Sequence, residues 1–389
     1  MSDANAVADP TTSRWVELPP DCERGSLEQL APGFVAGTAS AGLQGQGDDV
    51  AVIASERPVA CSAILLTSNA AAAAPVRVCR EDCDADAISA AVVNSGNANA
   101  ATGPAGYEAA LEVRAAAAEA VGIDQRKVAI AQTGVIGVEL PTARVCDAAR
   151  TAAASRSSER SLDLAQAIMT TDAGPKVCSL RAGGVTLTAQ AKGAGMIDPR
   201  FATMLCFVQT DGVLDEPAAR LRGAAESSFE RISVDGQQST NDTVLLQASG
   251  GSGLPVPDGL LEAALLSLAI AIVADGEGAT RIARIDVREA RDDGEAEAVA
   301  SAIARSPLVK TALYGRDPNW GRIVQAAGMA LAGEDLSALD AESVDADELA
   351  GDRDEVEIAI RLGRGDASGH AYFSDLNAEY VRVNSEYTT

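Results

Sequence analysis

The chain is poor in the residues that most enzymes use for acid–base work. Its 389 residues contain one histidine, His370, and four lysines: Lys127, Lys176, Lys192 and Lys310. A single histidine excludes His-rich zinc sites and any mechanism that needs two imidazoles. A Ser-His-Asp triad would have to use His370, which lies in a run of small residues near the C-terminus, where a structural or exposed role is the expectation. Aromatic residues make up 3% of the chain, with two tryptophans. The seven cysteines are scattered and form no Cys-x-x-Cys pair, and Cys79/Cys83 has no second pair to complete a metal site, so reduced thiols are expected. No apolar run is long enough to span a bilayer; Leu260 to Ala274 is too short and contains Glu262, which fits a buried helix. The first ten residues carry neither a basic region nor an apolar stretch, so a soluble, cytoplasmic protein is expected. Cations are scarce as well. The net charge of −25 disfavours nucleic acid and anionic membranes as partners.

What is present is 47% hydrophobic, enough for a sizeable core. Residues 1–32 are polar and irregular and read as a loose lead-in. Beyond them, strand-like and helical patterns mix throughout. Val50–Ile53, Ala63–Leu66, Ile88–Val93, Val128–Ala131, Val185–Ala191, Thr203–Thr210, Arg281–Val287, Val309–Tyr314 and Val356–Ile360 read as strands. Tyr107–Val121, Val145–Ala154, Leu162–Met169, Pro217–Phe229 and Leu260–Ala274 read as helices. The class is therefore α/β or α+β.

Small-residue segments accompany these strands. Asn94-Ser95-Gly96-Asn97-Ala98-Asn99-Ala100 reads first as a turn held by Asx hydrogen bonds. Thr133-Gly134 could offer a hydroxyl and a backbone N–H as an oxyanion-binding pair. Lys192-Gly193-Ala194-Gly195 lacks the phosphate-loop spacing; Lys192 is either a solvated surface lysine or a carboxylate holder. Thr203, between Ala202 and an apolar strand, is either a β-branched filler or the N-terminal residue of a self-cleaved chain. In the second case its freed α-amino group is the base for its own Oγ, and no histidine is needed. Glu277, at the glycine-rich end of the buried helix, is either solvated or aimed into a site.

Together with Met169-Thr170-Thr171-Asp172, Ser239-Thr240-Asn241-Asp242-Thr243, Ser306 to Ala312, Gly315 to Ile323 and the terminal Asn384 to Thr389, these segments resemble, in order, the ornithine acetyltransferase (glutamate N-acetyltransferase) family of arginine biosynthesis. The resemblance runs from about residue 33 to the C-terminus. It implies a layered α/β sandwich related to N-terminal-nucleophile-like amidases, cut into an α chain (33–202) and a β chain (203–389) at Ala202-Thr203. It implies Thr203 as nucleophile, Thr133 and Gly134 as oxyanion hole, and substrate contacts from Thr170, Lys192, Thr203, Glu277, Asn384 and Thr389; Thr171 adjoins Thr170 and is its alternate. The implied reaction moves acetyl from N2-acetyl-L-ornithine to L-glutamate through an acetyl-enzyme, with no metal or cofactor, in an α2β2 assembly. Bifunctional members also take acetyl-CoA. A related acetyltransferase of a specialised, clavulanic-acid-type pathway and an N-terminal-nucleophile amidase or aminopeptidase are the rival readings. Both substrates carry an α-carboxylate, which suits Lys192, and ornithine carries a second ammonium, which suits Glu277.

Overall fold

The computed structural model describes residues 9–198 and 204–386. Ala202, Thr203 and Thr389 lie outside the described residues. Among the described residues no helix is long and apolar enough to cross a membrane.

The expected loose lead-in is fastened to the core from residue 9 on. Strand β1 (Glu23–Arg24) pairs antiparallel with residues 180–181. Trp15 is buried, stacks at a tilt against Tyr372 and donates its indole N–H to Glu357. Polar composition hid this anchor because a few apolar side chains, spaced irregularly, do the packing.

Next come β2 (Phe34–Ala39), β3 (Val50–Ser55), β4 (Cys61–Leu66), α1 (Ala74–Asp82), β5 (Ala90–Asn94), α2 (Gly103–Val121), β6 (Val128–Gln132), α3 (Thr142–Ala154) and α4 (Ser161–Ala167). A hairpin of β7 (Lys176–Ala182) and β8 (Val185–Lys192) leads to β9 (Leu205–Thr210), α5 (Pro217–Glu226), β10 (Ile232–Ser233), β11 (Thr243–Ala248) and α6 (Leu260–Ala274). The remainder is β12 (Ile282–Ala290), α7 (Asp293–Arg305), α8 (Pro307–Gly315), α9 (Trp320–Ala330), β13 (Val344–Asp345), β14 (Glu355–Arg361), β15 (Ala367–Ser374) and α10 (Ala378–Glu386).

Two sheets carry the site. One has four strands in the order β2-β3-β5-β6; the other has six in the order β1-β7-β8-β9-β11-β4. Alternation along β9 shows how they stack: Leu205 and Phe207 join the core shared with the four-stranded sheet, while Cys206 and Val208 join the core under α5 and α6. Helices α2 and α3 cover the outer face of the four-stranded sheet. The result is a helix–sheet–sheet–helix sandwich, in keeping with the expected layered α/β class. Helix α6 is apolar on every side because α5 and the six-stranded sheet enclose it, which explains its unbroken hydrophobic run.

A second unit packs α7 and α9 on the sheet β10-β15-β12-β14-β13 around its own core. Here the expected strand Val309–Tyr314 is corrected: these residues form most of α8. Ser306 caps the helix, its hydroxyl accepting from Val309 N, and Pro307 sits in the first turn, so local capping outweighs the β-branched run. His370 lies on β15 in this unit. Burial, aided by Arg284 and Arg231, pushes its imidazole down to about 4.

Candidate active site

The segments that follow β5, β6 and β8 meet those that flank β9, β11 and α6 around a cavity of about 160 Å³. It gathers Thr133, Gly134, Thr170, Thr171, Lys192, Glu277 and Asn384 from positions far apart in sequence. Met204, the residue after Thr203 in the chain, also lines it. His370 is not among the lining residues, so the cavity offers no imidazole.

The parallel pair β5–β6 sets one wall. Asn94 and Gln132 end these strands side by side, and the Gln132 amide donates to Asn94 Oδ1 at 2.6 Å. Asn94 donates to the Asn97 carbonyl at 2.9 Å, and Asn99 donates to Gln132 Oε1 at 2.8 Å. The Asx reading holds inside the run, where Asn99 N donates to Asn97 Oδ1 at 2.8 Å, while the Asn97 and Asn99 amides tie it to the Val138, Glu139 and Gly106 carbonyls and to Gln132; of its residues, Ala98 lines the cavity. That turn braces Thr133-Gly134. Thr133 N donates to the Asn94 carbonyl at 2.9 Å. Gly134 has φ +128°, and a Cβ there would overlap the Gly96 and Asn97 backbone. Only glycine fits, and among the described residues its N–H donates to no acceptor. A hydroxyl and a free N–H are therefore carried by adjacent residues of the cavity lining.

Lys192, at the end of β8, is buried, not solvated, and donates to Thr133 Oγ1 at 3.1 Å. That oxygen accepts from Lys192, which leaves the hydroxyl hydrogen available to donate. Burial pushes the Lys192 ammonium down from the usual lysine range; Asp172 opposes this and Lys176 adds to it. Asp172 is the hub behind the wall. One carboxylate oxygen accepts from Lys176 Nζ at 2.7 Å and Gly193 N at 2.6 Å, and the other accepts from Thr170 N at 3.0 Å. Burial pushes this carboxyl up, but Lys176 and Lys192 outweigh it and hold it down to about 2. One buried carboxylate thus fixes both the lysine loop and the Thr170 turn.

On the far wall Glu277 accepts from Asn384 Nδ2 at 2.7 Å, which docks α10 over the cavity. Its own N–H donates to the Ala194 carbonyl at 2.9 Å. The carboxylate lies so close to Gly195 that a Cβ there would overlap it. Gly195→Ala is therefore expected to displace Glu277 and lower kcat/KM for any substrate that carries a second ammonium about tenfold or more. Steady-state kinetics on that variant, with unchanged thermal stability, checks it.

Three structural supports were not singled out from sequence as site residues. Asn241 donates to the carbonyls of Ala98 at 2.6 Å and Gln132 at 2.8 Å, clamping its loop to the wall that carries Thr133-Gly134. Asp235 accepts from Met196 N at 2.6 Å and Ile197 N at 2.9 Å, fixing the chain that leads toward residue 198. Tyr380 lines the cavity from α10, and burial, with Asp235 and Glu277 nearby, pushes its phenol up to about 12. The unusually polar run from Ser233 to Thr243 was the available signal for the first two; nothing in the local pattern marks Tyr380. Cys206 is excluded as a rival nucleophile, since it faces the core under α6 and burial pushes its thiol far up.

Comparison with known proteins identifies the family. The ArgJ family model matches residues 35–389. The arginine biosynthesis bifunctional protein ArgJ of Symbiobacterium thermophilum is 42% identical, over 92% of this chain and 97% of the relative. The glutamate N-acetyltransferase of Methanopyrus kandleri is 39% identical over 92% and 99%, and the glutamate N-acetyltransferase Oat2 of Streptomyces clavuligerus is 39% identical over 94% and 99%. A solved ornithine acetyltransferase from Mycobacterium tuberculosis, complexed with ornithine, is 30% identical with a TM-score of 0.44, covering 46% of this chain and 98% of that one. With the family model spanning nearly the whole chain and relatives this similar over nearly their full length, the chain belongs to the ArgJ family.

Proposed function

We propose that the chain is a glutamate N-acetyltransferase that takes acetyl from N2-acetyl-L-ornithine, after cutting itself between Ala202 and Thr203. The observation that carries the reading is the cavity itself. It gathers a hydroxyl and N–H pair suited to an oxyanion, a cation, Lys192, and an anion, Glu277, around one space with the residue that follows Thr203. That is the charge pattern of an acetylated amino acid with a carboxylate at one end and an ammonium at the other. The names of the relatives point to the same substrates.

In the first step Thr203 Oγ attacks the Ala202 carbonyl, shifting the acyl group from nitrogen to oxygen. Water then hydrolyses that ester, leaving an Ala202 carboxylate and a free α-amino group on Thr203. In catalysis this amine takes the Oγ proton as Oγ attacks the acetyl carbonyl. Thr133 Oγ1–H and Gly134 N–H stabilise the oxyanion, with each such donor contributing about 3 kcal/mol in comparable sites. The proton passes to the departing ornithine amine. The α-amine of glutamate then attacks the acetyl ester, and Thr203 Oγ recovers its proton.

A cavity of about 160 Å³ suits an acetylated amino acid, whereas acetyl-CoA could insert only its acyl end. N2-acetylornithine is thus the proposed main donor. Two such chains, each in two fragments, would form the α2β2 assembly. The test is a product assay: with N2-acetylornithine and glutamate, ornithine and N-acetylglutamate should appear in equal amounts. Free acetate in place of N-acetylglutamate would mean a hydrolase and overturn the reading.

A further inference from the structure

A groove of about 770 Å³ lies at the other ends of the strands that build the oxyanion wall. Ser89 and Lys127, which line it, immediately precede β5 and β6, whereas the active cavity is built after those strands end. The groove holds three cations, Arg57, Lys127 and Arg156, against two acids, Glu56 and Asp124. In a chain with 56 acidic and 31 basic residues, a surplus of positive charge in a concave site is against the composition. Arg156 is the odd member. It follows α3, one of its terminal guanidinium nitrogens, Nη1, is sealed from solvent, and that nitrogen has no hydrogen-bond partner. Burial alone pushes its guanidinium down, with no carboxylate opposing. Arg57 and Lys127 likewise form no ion pair among the described residues. A desolvated, unpaired donor is costly to keep, and an anionic ligand would satisfy it.

We propose that this groove is a second binding site, distinct from the acyl-transfer cavity, for a small molecule bearing a carboxylate or phosphate group, with Arg156 as its anchor. Arg156 supplies the fork that matches either group. Lys127 and Arg57 add point attraction from the rim. Glu56 and Asp124 limit the net field, which selects a small mono- or dianion over a polyanion.

The test is calorimetric titration of the purified protein with sodium phosphate and, separately, sodium succinate, each a mono- or dianion near neutral pH, with ionic strength held by sodium chloride. Saturable binding of at least one is expected; which one binds separates phosphate from carboxylate chemistry. Arg156→Gln should weaken it about tenfold or more while keeping wild-type acetyl transfer, because Arg156 lies outside the active cavity. Lys192→Met, which removes the active cavity's cation, should leave the binding unchanged. If Arg156→Gln does not fold, Arg57→Gln and Lys127→Gln on the rim should each weaken binding about threefold. An unsaturable response equal to that of chloride, an adventitious ion only, would overturn the proposal. So would binding that survives the groove variants or disappears with Lys192→Met.

Discussion

Thr203→Ala is expected to yield one uncut chain of 389 residues with acetyl transfer at background. The substitution removes the hydroxyl that both reactions need, so chain cleavage and acyl transfer should fail together. Thr203→Ser keeps the hydroxyl and should retain part of both. Neither an imidazole nor a thiol can stand in. The cavity has no histidine, and Cys206 points into the opposite core. Removing a covalent nucleophile costs about 10⁴-fold or more in kcat where the rest of the site is intact. Intact mass followed by a product assay reads both effects. Wild-type transfer by Thr203→Ala would remove Thr203 from the mechanism, and a cut chain that transfers nothing would separate the two roles.

The second large effect is expected at Lys192. The sequence leaves it as either a solvated surface lysine or a carboxylate holder, and the second role alone would put the whole defect in KM. The geometry adds a tie to the proposed reaction, because Lys192 donates to Thr133 Oγ1 and so holds the hydroxyl proposed to meet the oxyanion. Lys192→Met should therefore lower kcat as well as raise KM, for N2-acetylornithine and glutamate alike, by about a hundredfold in kcat/KM. Its pH dependence has a defined sign. Burial holds the ammonium below the ordinary lysine range, so the charged form is lost at a lower pH than for a free lysine. Activity should then fall on the alkaline side before ordinary lysines titrate, and Lys192→Arg should move that limb to higher pH. A KM-only defect with an unchanged alkaline limb would confine Lys192 to carboxylate binding.

How much of this was visible in sequence depends on which force decides each element. The apolar runs at Val128–Ala131, Val185–Ala191 and Leu260–Ala274 are set by burial and were legible from periodicity. Val309–Tyr314 was not, because a serine cap and a proline override β-branched propensity. Strand β2, all of whose residues but Val35 are buried, shows no alternation to read. In the site, glycine after a strand marked Thr133-Gly134, and the scarcity of lysine singled out Lys192. The asparagine run was legible as a turn. Asp172 was visible only as part of a motif: its work is to join Lys176, Gly193 and Thr170 across folded space, and no spacing along the chain encodes that. Tyr380 arrives with α10, whose docking through Asn384 and Glu277 is a long-range contact.

The most direct measurement is the denatured mass of the active protein before and after brief exposure to N2-acetylornithine without glutamate. The expected result is two fragments, Met1–Ala202 and Thr203–Thr389, with one acetyl group added to the second alone, lost on adding glutamate and placed on Thr203 by peptide mapping. An active, uncut chain, or an acetyl group on any residue other than Thr203, would contradict it.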